Sequence, residues 1–494
     1  MDNENSRPGG QTSQILPGAY PPPRRKSNSH HTRGRLPFGK LTIGPKGSIE
    51  ALPRGSIIST LLDNGRAEAL PVTSTSIGDQ MSGTSSAPSA PTNPTHMVFR
   101  QENSRWLLSL IKVASAALIL ILCAYYFAPK IARVQTAFYL TLLPTTLLLL
   151  CWRRNFQFLY AWQFVTFLLP PLLLAVSTLR ADNTQADVFR EPGYYFKLVA
   201  YLALFYCCLY FVLEQKGEAV LERWLLWLIP AGLISATASL FMYGQDGGFS
   251  NLRRIGGISL EGDIDKTGML YGFHALFCCY GLMLESRRWR LISATALLAS
   301  CTYIFFSQTK IPIVMATVSL LLAVCTLGSK ATKGLLVLII IAAVPLGYQL
   351  AFGDLPLLQR SNAYSIRIEL WSKALEGFTQ SPWIGNGLSH KVFLDLHTTL
   401  PHPHNYLVDI ARFCGLLGLA AFLWQLASVG LVVLRNYRDI DWLKAVYIGW
   451  FGFGVLAMLV YAQQPLTKPN YMWFFYWIPL AVLLVLSQLR SPHK

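Results

Sequence analysis

The chain has 494 residues, of which 52% are hydrophobic and 14% charged, and its mean hydropathy is +0.37. Because charged residues make up about 25% of a typical soluble domain, this composition excludes an ordinary soluble protein and indicates an integral membrane protein. The net charge of +17 does not indicate nucleic-acid binding, since the basic residues are dispersed between apolar segments. The nine cysteines lie in or beside those segments, which argues against a disulfide framework.

The first 100 residues differ in composition from the rest of the chain. They are rich in Ser, Pro, Gly and Thr and lack the periodic apolar positions that a folded core needs. They also lack the short apolar core and small-residue cleavage site of a signal peptide. Residues 1–100 are therefore predicted to form a disordered cytoplasmic tail, and a natural start at Met97 would remove most of it.

Twelve apolar segments follow, and each is close to the ~20 residues that a membrane-spanning helix needs. They are 106–127, 134–152, 157–179, 194–213, 224–243, 267–285, 289–306, 311–328, 334–352, 413–435, 443–461 and 471–488. Eleven spans are the alternative, because neighbouring segments nearly merge at residues 129–133 and 307–312. Residues 101–352 would form nine helices, 353–404 a large loop and 405–494 the last three helices. The sequence thus predicts an all-α polytopic membrane protein.

The orientation follows from the short connections between these segments. Those on the side of the amino terminus carry about twice as many Lys and Arg residues as those on the other side. The positive-inside rule therefore places both termini in the cytoplasm, and the long connections 244–266 and 353–404 outside.

The connection before segment 267–285 carries the pair Arg253-Arg254, followed closely by two glycines. Guanidinium and backbone N–H groups can approach one anion together in such a stretch. The triplet Asp-Ile-Asp at 263–265 resembles the acidic pair with which many glycosyltransferases hold a metal on a nucleotide sugar. It recurs at 439–441, however, and capping of the following helix explains it equally well.

Two further polar residues lie in or beside the apolar segments. Lys310 follows a small polar turn at the outer surface, where it either pairs with a phosphate or extends to water. His274, alone within a segment, is predicted to be a hydrogen-bonded core residue, although an intramembrane ionisable group is also a site candidate.

The loop 353–404 contains an amphipathic pattern in which Arg360, Tyr364, Arg367 and Trp371 recur at helical spacing. Arginine suits a phosphate ligand, because its planar fork matches two oxygens and stays charged. The alternative is a solvated interfacial helix whose arginines only meet lipid headgroups.

At the end of this loop, Pro403 bars a helix upstream, so a helix is predicted to begin near His404. The helix dipole and nearby arginines would hold the imidazole neutral, as a general base requires. Two alternatives remain: His404 is structural, or it joins His397, His402 and Asp395 at a metal, although their spacing matches no standard zinc pattern.

The pair His404-Asn405, followed by Gly415 and Gly418, resembles the signature of O-antigen ligases, within the group of O-antigen ligases and Wzy-type polymerases. Two other motifs resemble elements of that group, an Arg-x-x-Gly before a span and an Arg-x-x-x-Trp helix followed by a Pro-x-x-Gly-x-Gly turn. They are Arg254 with Gly257, Arg367 with Trp371, and Pro382 with Gly385 and Gly387. The resemblance covers about residues 105–490.

The resemblance implies a membrane glycosyltransferase of the C type in the bacterial inner membrane. Such an enzyme transfers a polysaccharide from undecaprenyl diphosphate to the lipid A-core oligosaccharide at the periplasmic face, with inversion and without a metal or other cofactor. His404 would be the general base, and Arg254 and Arg367 would hold the diphosphate. The further candidates for substrate binding are Arg253, Arg360, Lys310, Asn405, His402 and Trp371.

Three other functions fit parts of the pattern. A polymerase of the same group would differ only in its acceptor. A protein O-oligosaccharyltransferase would commonly carry an additional periplasmic domain. A transporter of lipid-linked sugars would show charges at the membrane midplane and internal repeats, whereas the polar groups here gather at one face.

Overall fold

The computed structural model describes residues 94–152, 156–180, 191–327, 363–388, 392–394, 398–400, 403–461 and 466–490. Several predictions therefore lie outside the described residues: most of the tail, the segment 334–352, the site candidates Arg360 and His402, and the possible metal ligands Asp395 and His397.

The described part of the chain contains twelve long helices, short helical turns such as Gly248–Asn251, and one short hairpin. The helices are α1 (Pro94–Phe127), α2 (Ile131–Trp152), α3 (Trp162–Ser177), α4 (Pro192–Lys216), α5 (Ala219–Gln245), α6 (Ile264–Leu282), α7 (Arg287–Ser307), α8 (Lys310–Thr326), α9 (Ala363–Gln380), α10 (Tyr406–Arg435), α11 (Trp442–Val460) and α12 (Trp473–Arg490). The strands β1 (Val392–Leu394) and β2 (Thr398–Leu400) pair antiparallel, with Val392 opposite Leu400.

Every predicted span except 334–352 overlaps a described helix. Among the described helices, nine are long and apolar enough to cross a membrane, namely α1–α5, α7 and α10–α12, and α8 is a shorter apolar helix. The prediction of a helical membrane protein is thus confirmed, with the hairpin β1–β2 as a small addition. Helix α1 begins at Pro94, inside the stretch predicted to be disordered.

Helix α6 lies at the centre of the bundle, in contact with α5, α7, α8 and α11. Its side chain Phe273 packs against Trp450 of α11 and Phe474 of α12, with ring centroids 5.1 and 5.5 Å apart. The Trp450 indole N–H donates to the Phe474 carbonyl at 2.8 Å. Aromatic packing and one buried hydrogen bond therefore join the three helices where no water is available to solvate the indole.

The lone intramembrane histidine belongs to this core, as its sequence context predicts. His274 is fully buried in α6. Its Nε2 lies 3.1 Å from the Ile229 carbonyl, which can only accept, so Nε2 carries the proton. The Ser300 hydroxyl, 2.8 Å away, then donates to Nδ1. Both ring nitrogens are used in joining α5, α6 and α7.

Helix α10 is broken at Gly415, about a third of the way along it, and the turn 382–387 after α9 fills the break. The Leu416 N–H donates to the Pro382 carbonyl at 2.7 Å, and the Asn386 N–H donates in return to the Arg412 carbonyl at 2.9 Å. The backbone groups that the break frees are therefore satisfied by another segment, as burial requires.

Two glycines permit this close approach. Gly415, at the break, has φ +62° and ψ −156°, and a Cβ there would lie 2.4 Å from the Trp383 carbonyl carbon. Gly385 has φ +69°, and a Cβ there would lie 2.3 Å from the Phe413 carbonyl carbon. The Pro-x-x-Gly-x-Gly turn, through Gly385, and the His-Asn signature, through Gly415, therefore contact each other directly.

Candidate functional site

His404 lies directly before the capping residue of α10. Asn405 accepts hydrogen bonds at its Oδ1 from the N–H groups of Leu407 and Val408, at 3.0 and 3.4 Å. Helix α10 therefore begins at Tyr406, close to the predicted start, and the Asn405 side-chain oxygen serves as its cap. His404 itself has φ +56°, a left-handed conformation that costs a residue with a Cβ roughly 1–2 kcal/mol.

Helix α9 packs on the first turns of α10 and carries two of the predicted site residues. The Trp371 indole N–H donates to the carbonyl of Pro403 at 2.9 Å. Leu370 and Ala374 are buried beside Val408 of α10. Arg367 lies one turn before Trp371, close enough for its charge to act on the His404 imidazole. The helical spacing of Arg367 and Trp371 thus brings both residues to His404.

The His404 imidazole is half-buried, and its pKa lies below the ordinary 6.5. Burial is the larger cause, and the positive charge of Arg367 adds to it. A ring N–H of His404 donates to the Tyr461 carbonyl, which opposes the shift only in part. The lowered pKa favours the neutral imidazole at pH 7, and the bond to Tyr461 fixes its orientation.

Tyr461, at the end of α11, connects His404 to the start of α6. Its ring centroid lies 6.0 Å from that of His404, and its hydroxyl donates to Asp263 Oδ1 at 3.5 Å. Burial and the neighbouring carboxylates of Asp263 and Asp265 raise the pKa of Tyr461, so its hydroxyl stays protonated.

Asp263 is the cap of α6. It accepts from the N–H groups of Asp265 and Lys266, both at 3.0 Å, and from Lys266 Nζ at 2.9 Å. Burial alone would raise the pKa of Asp263, but the bonds and charge of Lys266 outweigh burial and lower it. In the second Asp-Ile-Asp triplet, Asp441 caps α11 by accepting from the Lys444 N–H at 2.9 Å. Helix capping therefore accounts for both triplets.

Arg254 binds the same end of α6. Its Nη2 donates to Asp265 Oδ1 at 3.1 Å, and its Nε donates to the Ser307 carbonyl at 3.0 Å. The side chains of Arg254 and Asp265 are 30% and 38% exposed, so the ion pair is open to solvent. The Ile255 N–H also donates to the Phe306 carbonyl, at 3.2 Å. The loop that carries Arg253 and Arg254 (the Arg254 loop) is therefore hydrogen-bonded to the end of α7.

A polar cavity of about 260 Å³ lies beside this loop. Arg253, Arg254, Gly256, Gly257 and Tyr243 are among its lining residues. The Arg253 guanidinium donates to the backbone carbonyl of Asp246, another lining residue, at 2.7 Å. Both arginines of the predicted anion site therefore border one open space.

Lys310, at the first position of α8, is three residues from the Ser307 carbonyl that Arg254 binds. It forms no ion pair with any residue that the structure describes. Its position beside the Arg254 loop is compatible with either of its predicted roles.

The three residues predicted to carry the chemistry thus belong to one connected region. The charge of Arg367 acts on His404, and Tyr461 joins His404 to the Asp263 cap. Arg254 pairs with Asp265, two residues from that cap.

Sequence reasoning missed Tyr461, because no spacing rule links the end of one span to a loop some sixty residues earlier. It also missed a buried ion pair in α10, Asp409 with Arg412, whose atoms are 2.8 Å apart and whose side chains are fully buried. The signal was present as two opposite charges three residues apart. The sequence does not predict this pair as buried, because Asp409 and Arg412 lie just before the predicted span, which begins at residue 413.

Two comparisons with known proteins bear on this region. A family model described as O-antigen ligase matches residues 273–423, which include His404, Arg367 and the turn 382–387. The chain is also 27% identical over 321 residues to a protein from Pseudomonas aeruginosa named O-antigen ligase. That similarity covers 64% of this chain and 75% of the relative.

The segment that the family model matches contains the contact between the two glycine motifs, helix α9 and the residues around His404. By its motifs, by the matched segment and by this pairwise similarity, the chain is similar to O-antigen ligases.

Proposed function

We propose that this protein is an O-antigen ligase that transfers a polysaccharide from undecaprenyl diphosphate to the lipid A-core oligosaccharide. One observation carries the proposal: His404, with its pKa lowered by burial and by Arg367, is linked through Tyr461 and the α6 cap to the Arg254 loop. A neutral base and two guanidinium groups are what transfer from a diphosphate carrier requires.

In the proposed reaction His404 removes the proton from the acceptor hydroxyl. The oxygen then attacks the anomeric carbon of the donor sugar, and the bond from that carbon to the diphosphate breaks. Direct attack inverts the anomeric centre. A positioned base of this kind contributes roughly 10²–10⁴-fold to the rate.

The leaving diphosphate takes the electron pair of the broken bond, and Arg254 and Arg367 stabilise its growing charge. Removing one such preorganised donor costs about 3–4 kcal/mol of transition-state stabilisation. Arg253 and Lys310, which border or adjoin the Arg254 loop, would bind other phosphate oxygens. With two or more cations in place, the proposed reaction needs no metal or other cofactor.

The proposal includes a fold of the membrane glycosyltransferase C type and a location in the bacterial inner membrane. Both termini would be cytoplasmic, and His404 would face the periplasm. The distribution of Lys and Arg between the short connections supports this orientation.

An acceptor-exchange assay tests the activity. Purified protein would receive an undecaprenyl-diphosphate glycan with either lipid A-core or a second lipid-linked glycan as acceptor. We expect transfer to lipid A-core. Transfer only to the second glycan would identify a polymerase and contradict the ligase proposal.

Substitution of His404 tests the role of the base. His404→Gly keeps the left-handed backbone without strain and leaves space beside the acceptor. We expect a rate loss of about 10²-fold or more, partly restored by added imidazole. Arg438→Gln, beyond the opposite end of α10, is the control and should keep the wild-type rate. Full activity of His404→Gly without imidazole would refute the assignment.

A further inference from the structure

A second cavity, of about 470 Å³, lies at the end of α10 opposite to His404. It is formed between α3, α10 and α12 and is lined by Trp162, Trp424, Leu431, Arg435 and Arg490, among others. None of these residues belongs to the proposed active site, and the first eighteen residues of α10 lie between His404 and the lining residue Trp424.

The cavity is elongated along α10. Trp424, Ser428, Leu431 and Arg435 line it at spacings of four, three and four residues, so they share one face of the helix. From Trp424 to Arg435 this face extends about 16 Å at 1.5 Å per residue. Trp424 and Leu431 are 53% and 43% exposed on a helix apolar enough to cross a membrane. The inner part of the cavity therefore presents an apolar wall to lipid.

The mouth of the cavity, at the end of α10 where Arg435 and Arg490 lie, is positively charged. Arg435 forms no ion pair with any residue in the described ranges. Arg490 shares the carboxylate of Glu218 with Lys444, and Lys444 also pairs with Asp441. The charged residues that line the cavity are therefore both basic, and only Arg490 has a carboxylate partner among the described residues, which leaves a net positive charge at the mouth.

Within the apolar wall, between Trp424 and Leu431 along α10, lies a hydroxyl group that has no hydrogen bond to a described residue. Ser428 lines the cavity and is only 1% exposed. Its Oγ has no hydrogen-bond partner among the residues that the structure describes. A buried polar group in that state costs free energy, and a ligand that supplies a partner recovers it.

We propose that this cavity binds an anionic phospholipid of the adjacent leaflet. Arg435 and Arg490 hold its phosphate, since guanidinium forks match phosphate oxygens in two places. Ser428, about 10 Å deeper along the helix, donates to an ester carbonyl. An acyl chain lies along Trp424 and Leu431. Basic pockets between membrane helices bind lipid headgroups by this combination of charge and apolar surface.

Native mass spectrometry of the full chain, with phosphatidylglycerol or phosphatidylcholine of the same acyl chains, tests the proposal. We expect phosphatidylglycerol to bind about tenfold more tightly, because charge-assisted hydrogen bonds to the two arginines exceed neutral ones. Arg435→Gln with Arg490→Gln should remove that preference. Equal binding of the two lipids by the wild-type protein would overturn the proposal.

Arg438→Gln is the matched control, since this arginine follows α10 closely but does not line the cavity. It should keep the preference, and an equal loss in this variant would overturn the proposal by showing a general charge effect. Should the double variant not fold, Arg435→Gln alone carries the test, because Arg435 has no ion pair with a described residue to lose.

Two further measurements separate a lipid site from a phosphate site. Ser428→Ala should weaken both phospholipids by a similar factor and leave the preference for phosphatidylglycerol unchanged. Glycerol phosphate at millimolar concentration should not displace phosphatidylglycerol. Displacement at the concentration of the lipid itself would mean that the apolar wall contributes nothing, and it would overturn the proposal.

Discussion

Strained backbone conformations collect around the candidate site. Among the described residues, the non-glycine residues with positive φ are Leu252, Leu260, Gln308 and His404. Leu252 and Gln308 are joined by a hydrogen bond from Gln308 Nε2 to the Leu252 carbonyl at 2.9 Å, beside the Arg254 loop. Such conformations persist only where neighbours hold them. For His404 those neighbours are Trp371, which binds the preceding carbonyl, and Tyr461, which binds the ring.

The pH dependence of kcat/KM should report the His404 imidazole. A general base acts in its neutral form, so the rate should fall as the pH drops through the pKa of His404. Because burial and Arg367 lower that pKa, the acid limb should lie below pH 6.5. The variant Arg367→Gln should react more slowly than the wild-type protein. Its acid limb should lie at higher pH, because the charge that lowers the pKa of His404 has been removed. An unchanged limb position in that variant would contradict the electrostatic coupling.

The ion pair between Arg254 and Asp265 should compete with the donor diphosphate. Both side chains are about one-third exposed, so the pair is worth about 1 kcal/mol at most. Asp265→Asn should therefore lower KM for the donor by up to about fivefold. In Arg254→Gln the same change should have no effect, which a double-mutant cycle of steady-state KM values checks. A raised KM in Asp265→Asn alone would mean that the carboxylate aids binding.

At the scale of elements, the contact between the turn 382–387 and the break in α10 should be essential for folding. Gly385→Ala and Gly415→Ala each place a Cβ less than 2.5 Å from backbone that cannot move away, at positive φ. Strain and overpacking together should cost about 3 kcal/mol or more. Thermal unfolding in detergent should show a large loss of stability or no folded protein for either variant.

Gly430→Ala, in the same helix, is the control for this prediction. Apart from the backbone of α10 itself, no atom of the described residues lies within 4 Å of its added Cβ, so the change should be neutral or stabilise α10 by about 0.5–1 kcal/mol. If Gly415→Ala unfolded at the same temperature as Gly430→Ala, the close contact would be absent in solution.

The helices were predictable because membrane spans are long apolar runs, and the start of α10 was predictable because Pro403 excludes a helix before it. The family resemblance predicts Asn405 as a substrate ligand, and its position before an apolar run is also a capping signal, the role in which the structure shows its side chain. The pairing of Arg254 with Asp265 could not be predicted, since only the loop's path past the Ser307 carbonyl brings them together. The contact between Gly385 and α10 likewise depends on tertiary packing.

At the scale of the whole molecule, His404 and Arg435 mark opposite ends of the bundle, and the proposed orientation can be measured. Ser372→Cys, exposed on α9, should react in cells with a membrane-impermeant maleimide once the outer membrane is permeabilised. Arg438→Cys, exposed beyond the other end of α10, should react only after lysis. Wild-type protein, with its nine cysteines, gives the background. If Arg438→Cys reacted before lysis and Ser372→Cys only after it, the protein would have the opposite orientation and His404 could not face the periplasm.

The break at Gly415 has a mechanical consequence. The segment of α10 that follows His404 is held by backbone bonds to the turn 382–387, and the longer, lipid-exposed segment begins beyond them. When a bilayer becomes thinner or thicker, spanning helices respond by tilting. Because α10 is interrupted at Gly415, the segment after the break can tilt while the segment that follows His404 stays fixed, and the imidazole then keeps its position. We therefore expect the catalytic geometry to tolerate changes in acyl-chain length.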